Sequence, residues 1–270
     1  MREEIGYVHG YTVREEDRLH DQAQTLAELL HYDTGYGAGE RILEAGCGTG
    51  AQTRILASKH RQTRFTSIDL SATSVRKARE EAELLGLGNV DFQVADVYRL
   101  PFDDGSFDHG FVCFLLEHLK DPEGALSELA RVVRPGGTIT VVEGDHGSAY
   151  FYPECEESRR AIEALIRIQA EMGGNSLVGR QLYPLLCEAG LRDVTVSPRM
   201  VYVDRTRPTL VEGFIRDTFT AMIEGVRDEA VSMGLLGAEE WEKGIRGLLR
   251  TMETDGVFCY TFFKATGIIR

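Results

Sequence analysis

The sequence has no CxxC pair, no run of basic residues, and no apolar stretch approaching the length that crosses a bilayer. Each absence removes a class of reading. The five cysteines (Cys47, Cys113, Cys155, Cys187 and Cys259) are odd in number and widely spaced, which supplies neither a disulfide framework nor a paired zinc motif and suits a reducing compartment. The opening residues, MREEIGYVHGY, hold no apolar h-region of the kind a secretory signal needs. Net charge is −13, with Lys and Arg scattered singly or in pairs, so there is no electrostatic footprint for a phosphate backbone or an anionic membrane. Internal repeats and low-complexity segments are also missing. The expectation is a cytoplasmic protein that works on neither nucleic acid nor membrane. Its oligomeric state is left open.

What is present is an ordinary globular balance over 270 residues, 43% hydrophobic and 27% charged. Residues 14–31 carry Leu19, Ala23, Leu26 and Leu30 on one helical face. From residue 41 the pattern alternates. Strands are expected at 41–45, 64–69, 90–95, 107–114 and 138–143. Helices are expected at 52–60, after a Ser71 cap, and after Asp121-Pro122, the last ending at RPGG. Such alternation predicts an α/β fold with a doubly wound, mostly parallel sheet and helices on both faces. Later come helices at 154–172 and 179–189 and strands at 194–203 and 257–265, which bring the sheet to seven strands. Residues 205–256, mostly helical, are too long for an ordinary connection and read as an inserted cap. The division expected is an N-terminal helical segment (1–40) over a cofactor site, then a domain over 41–270 with helical insertions at about 150–190 and 205–256.

The stretch ILEAGCGTG, residues 42–50, ends the first strand with an acid followed by glycines at every second position. Glycine clusters mark places where backbone bends sharply or meets something closely. In a doubly wound sheet, a ligand sits at the carboxyl ends of the strands, where this loop lies. Gly46, Gly48 and Ala51 also satisfy the dinucleotide fingerprint, and Asp69, nineteen residues beyond Gly50, suits a ribose diol in either case. The loop alone therefore leaves two readings open, a nicotinamide-dependent oxidoreductase and a second nucleoside cofactor. The flanking segments separate them. ILEAGCGTG, TSIDLS (66–71), VADVYRLPFDDGSFD (94–108) and FVCFLLEHLKDPEGALSELARVVRPGG (111–137) occur in order. Together they resemble the motifs of class I S-adenosylmethionine-dependent methyltransferases, in the style of those acting on small molecules.

The resemblance implies methyl transfer from S-adenosylmethionine to a small-molecule acceptor. It implies cofactor contacts from Glu44, Gly46, Cys47 and Gly48 at the methionine end, with Cys47 meeting it through backbone and not as a nucleophile. Asp69 falls on the ribose hydroxyls, Leu70 and Val97 on the adenine faces, Asp96 on the adenine amino group, and Phe114 on the sulfonium region. Tyr11, Gln22 and Gln52 are candidates for the cofactor's carboxylate edge. On the acceptor side the sequence offers His118, Glu143, Asp145, His146, Tyr150 and Tyr152. His146 is the candidate general base, because its ordinary pKa lies near neutrality; His118 and Tyr150 are candidates for acceptor contact. No metal is expected, since Asp145 and His146 have no second ligand cluster. Phe214, Phe219, Met222 and Ile223 in the insertion fit a buried helical face. A sensor that binds the cofactor without chemistry is the remaining alternative.

Overall fold

A run of five aliphatic-rich residues between two polar turns can only be a strand covered on both faces, and β1 (Arg41–Ala45) is buried at every position after its first. In the computed structural model, which describes residues 13–270 and side chains from Gln22 onward, β1 lies centrally in a seven-stranded sheet of order β3-β2-β1-β4-β5-β7-β6. The strands are β2 (Arg64–Asp69), β3 (Val90–Val94), β4 (Phe107–Cys113), β5 (Val133–Tyr152), β6 (Arg192–Val203) and β7 (Val257–Ile268). β1 pairs in parallel with β2 and β4, β2 with β3, and β4 with β5. Bonds from Thr140 to Thr266 and from His146 to Tyr260 run β7 antiparallel to β5, so the sheet is mixed.

The helices follow from local chemistry. α1 (Val13–His31) precedes the sheet, and α2 (Ala51–Lys59) opens from the glycine loop. α3 (Ala72–Leu84) is capped by Ser71, whose hydroxyl accepts from the Ser74 amide at 3.2 Å. α4 (Pro122–Val132) starts with Asp121 accepting from Gly124 N at 2.9 Å and Pro122 in the first turn, where its missing N–H costs nothing. α5 (Glu156–Glu171) and α6 (Leu182–Glu188) follow, the latter ended by Gly190 at φ +85°.

The chain divides into two compact units. One comprises residues 27–144, 178–199 and 263–270; it holds β1 to β4, parts of β5, β6 and β7, the end of α1, and α2, α3, α4 and α6. Its core packs Leu43, Ile68, Val112 and Val141 of the sheet against Leu126 and Leu129 of α4 and Leu182 and Leu186 of α6. Three cations, of which Lys264 and Arg199 are buried, anchor the end of α1 here. Lys264 Nζ donates to Leu30 O (3.2 Å), Asp33 Oδ1 (2.7 Å) and Thr34 Oγ1 (2.6 Å), Lys59 Nζ donates to the carbonyls of His31 and Thr34, and Arg199 donates to Asp33. Cations on the last carbonyls of a helix also complement its dipole.

The other unit comprises the described residues up to 26, together with 145–177 and 200–262. It contains α5 and a helical stretch of α7 (Pro208–Leu210), a ten-residue π-helix (Val211–Thr220), α8 (Ala221–Glu224), α9 (Arg227–Ser232) and α10 (Ala238–Arg250). Phe214, Phe219, Met222 and Ile223 are all buried, in keeping with a core-facing helical side. Their aromatic neighbours are on β7: Phe219 lies 4.8 Å from Phe258 and 5.5 Å from Tyr260, ring centre to ring centre. Residues 178–190, grouped with an insertion on sequence grounds, belong instead to the sheet unit.

One element departs clearly from expectation. β5 runs over Val133–Tyr152, not 138–143. RPGG ends the helix, but the strand is already paired at Val133 with Phe107, and a register shift between Phe107 and His109 absorbs Pro135, Gly136 and Gly137. At its far end the strand continues through Gly144 and Asp145, so the segment expected to be a loop is strand.

Candidate active site

The glycine loop folds back on β2 through its own amides. Gly46 N and Cys47 N both donate to Ile68 O at 2.9 Å, and Gly50 N donates to Cys47 O at 2.9 Å. Gly46 has φ +75°, and a Cβ built on it would lie 2.8 Å from Leu115 Cδ1, so this position admits only glycine. Gly48, at φ +52°, is different: a Cβ there would meet nothing within 4 Å. Its backbone borders open space, which is what a cradle for a ligand requires.

Two acids brace the loop and the strands beside it. Glu44 is almost fully buried, and its Oε2 accepts from Thr53 Oγ1 (2.5 Å) and Ser67 Oγ (2.6 Å). It thus ties β1 to α2 and β2. Burial pushes its carboxyl above the ordinary range, against the pull of the two hydroxyls. Asp69 accepts from Gly48 N through Oδ2 (2.9 Å) and from Ser71 N through Oδ1 (2.8 Å). The helix cap is Ser71, as its spacing predicts; Asp69 braces the glycine loop instead. Each carboxylate oxygen retains a lone pair for a further donor. Cys47 is buried, and burial raises its thiol well above the ordinary value, so a thiolate is disfavoured there.

At the ends of β2 and β3, Ala95 N donates to Asp69 O at 3.1 Å and so brings Asp69 and Leu70 beside Asp96 and Val97. Leu70 is 49% exposed just past the end of β2. Val97 packs partly into the core. Asp96 Oδ1 accepts from Tyr98 N at 3.0 Å, which fixes a tight turn.

Immediately after β4 comes Phe114, a non-glycine residue at φ +57°. A short 3-10 turn, Leu116–His118, follows. Glu143 Oε1, from β5, accepts from Leu115 N (3.0 Å) and Leu116 N (2.7 Å). His118 lies on this turn with Nε2 3.6 Å from Glu117 Oε1. Gln52, at the start of α2, accepts from His31 Nε2 at 2.7 Å and so holds the end of α1. Gln22 is buried on α1. Tyr11 lies outside the described residues.

His146 is in the other unit, three residues past Glu143 on the same strand. It is 5% exposed and not the solvated loop residue that its Gly- and Asp-rich surroundings suggest. Its Nδ1 lies 2.7 Å from Tyr260 Oη, and its ring packs edge-on to Phe219 at 6.4 Å. Tyr150 is 63% exposed, whereas Phe151 is buried and stacked on Phe258. Between His146 and Tyr150, the Ser148 hydroxyl donates to Asp145 O at 2.7 Å. Thr53, Ser67, His31 and Tyr260 carry no local signal that marks them as site partners; each is found only through a contact distant in sequence. Among the described residues no group of His, Cys, Asp and Glu converges as metal ligands would, and no helix is long and apolar enough to cross a membrane.

Comparison with known proteins gives the class. Residues 43–141 match the family described as a methyltransferase domain. The chain is 35% identical over 190 residues to an uncharacterized 37.1 kDa transposon protein of Streptomyces fradiae, covering 69% of this chain and 54% of that one. It is 35% identical over 149 residues to an O-methyltransferase of Penicillium expansum, covering 52% and 53%. Among solved structures, it resembles the YcgJ protein of Bacillus subtilis (18% identity, TM-score 0.57, 92% and 98% covered). It also resembles phosphoethanolamine N-methyltransferase 2 of Haemonchus contortus in complex with S-adenosylhomocysteine (19% identity, TM-score 0.57, 91% and 52% covered). The chain spans about half the length of the first curated relatives it matches. The fold and the matched segment are those of the class I S-adenosylmethionine-dependent methyltransferases, and this chain carries a domain of that family, whose cofactor is S-adenosylmethionine. The open space at Gly48, whose amide Asp69 holds, fits such a group.

Proposed function

We propose that the chain transfers a methyl group from S-adenosylmethionine to a small-molecule acceptor. The observation that carries this reading is the cradle: Gly48 bordering open space with Asp69 gripping its amide, and Glu44 held rigid behind it. Bound there, the cofactor supplies an electrophilic methyl group. The chain's residues do the rest. Asp69 takes the ribose hydroxyls, and Leu70 and Val97 flank the adenine, with Asp96 at its amino edge. Glu44 lies near the ammonium, and the backbone of Gly46 to Gly48 serves the methionine end. Phe114 lines the sulfonium region, while Gln52 and Tyr11 serve the carboxylate edge. On the acceptor side, His118 and Tyr150 are the proposed contacts.

His146 is the proposed base. The reaction forms a bond from the acceptor atom to the methyl carbon and breaks the sulfur–carbon bond; a protonated acceptor must also release its proton. In the tautomer whose Nδ1–H donates to Tyr260 Oη, Nε2 accepts that proton. A base already oriented by a partner loses less entropy in reaching its productive geometry.

Labelled methyl transfer from S-adenosylmethionine to fractions of a small-molecule extract tests the activity. Label appearing in a small-molecule fraction supports it. Cofactor binding without transfer to any fraction would favour a sensor instead.

A further inference from the structure

Glu143 is fully buried midway along β5, yet its bonds all go to the turn after β4. That turn needs them. Phe114 N makes the last ladder bond, to Val142 O at 2.9 Å, after which the backbone enters the left-handed region at Phe114. The next amides open a helical turn, and such amides have no partner within the turn. Glu143 Oε1 takes those of Leu115 and Leu116, and the Glu117 amide also bonds the carboxyl. The turn so held carries Leu115 directly onto Gly46, where there is no room for even one more carbon.

We infer that Glu143 is a positioning residue for the cofactor cradle: it clamps the turn after β4 so that Leu115 closes over Gly46 and fixes the path of the glycine loop. The link runs from β5 through the backbone of the turn to β1, so a side chain that need not touch the cofactor sets its affinity. Without the clamp, the amides of the turn lose their acceptor, and Phe114 is free to leave its strained conformation. Burial, with Glu117 beside it, holds the Glu143 carboxyl well above the ordinary range. A carboxamide keeps a carbonyl acceptor in nearly the same shape, so glutamine should do this work and alanine should not.

The inference rests on the cofactor reading, and one experiment separates the two. S-adenosylhomocysteine is titrated calorimetrically into the wild-type protein and the Glu143→Ala and Glu143→Gln variants, each well below its melting temperature. The expected result is a loss of affinity of about tenfold or more for alanine, and recovery to within about threefold of wild type for glutamine. Unchanged affinity in folded Glu143→Ala, or no rescue by glutamine, overturns the clamp. If Glu143→Ala does not fold, Leu115→Ala takes its place, since it keeps the amide bonds and removes only the packing on Gly46. Affinity weakened several-fold supports the inference, and unchanged affinity overturns it. A wild-type protein that binds no S-adenosylhomocysteine overturns the proposed function itself, and the clamp with it.

Discussion

The two units of the molecule handle polar groups in opposite ways. In the sheet unit, carboxyls at strand ends are spent on holding backbone and hydroxyls: Glu44 on Thr53 and Ser67, Asp69 on Gly48 and Ser71, Glu143 on Leu115 and Leu116. The result is a rigid rim around open space. The other unit presents a buried aromatic cluster of Phe214, Phe219, Phe258 and Tyr260, with His146 hydrogen-bonded among them. The family match, residues 43–141, falls wholly within the first unit. The aromatic cluster lies outside the matched segment, as do the proposed acceptor-side residues His146 and Tyr150.

If the units divide the labour in this way, each can be damaged without the other. The largest expected effect is from His146→Gln, which should lower methyl transfer by about 10²–10⁴-fold and leave S-adenosylhomocysteine affinity unchanged. Full turnover in that variant, at neutral and at high pH alike, would remove the base from the account.

Next is a pH effect confined to the sheet unit. Burial, reinforced by Lys264 and Lys59, lowers His31 from 6.5 to about 4, with Gln52 working the other way. The fold therefore prefers the neutral ring. The associated stability is complete above pH 6.5 and is lost as the pH falls through that value towards 4, to a total of up to about 3 kcal/mol. Denaturant unfolding at pH 7 and pH 5 should show a smaller difference for His31→Gln than for wild type. An identical difference would contradict the burial argument.

Asp69→Ala should weaken S-adenosylhomocysteine by about 1–3 kcal/mol, because it removes the partner of the ribose hydroxyls and of Gly48 N. Unchanged affinity would sink the ribose assignment. The smallest effect is expected from Tyr260→Phe. Loss of one buried hydroxyl bond should cost about 1 kcal/mol of stability, read from chemical unfolding, with cofactor affinity intact. A fall in cofactor affinity would mean that the two units are not separable in function.

The sequence is most readable where signals are local. The boundaries of α3 and α4 follow from Ser71 and Asp121-Pro122, because a cap acts within three residues. β1 reads as a strand because both of its faces are covered, and the glycine loop reads as a cradle because three glycines rarely cluster for any other reason. β5 was not readable to its full length. Gly136, Gly137 and Gly144 look like breaks, yet pairing with β4 and β7 overrides local preference. The burial of His146 was hidden for the same reason, since its polar neighbours suggest a loop while Tyr260, 114 residues away, supplies its partner. The π-helix over Val211–Thr220 has no sequence signature, because its apolar residues fit an ordinary helical face equally well. Glu143 could be seen as an acid near a crevice, but its grip on Leu115 and Leu116 depends on how β4 and β5 lie together.

The central claim is that the space at Gly48 is a cradle for S-adenosylmethionine and not for a dinucleotide. Calorimetric titration of the intact protein with S-adenosylhomocysteine, and separately with NAD, tests it most directly. The account predicts saturable binding of S-adenosylhomocysteine and none of NAD; binding of NAD alone would contradict it.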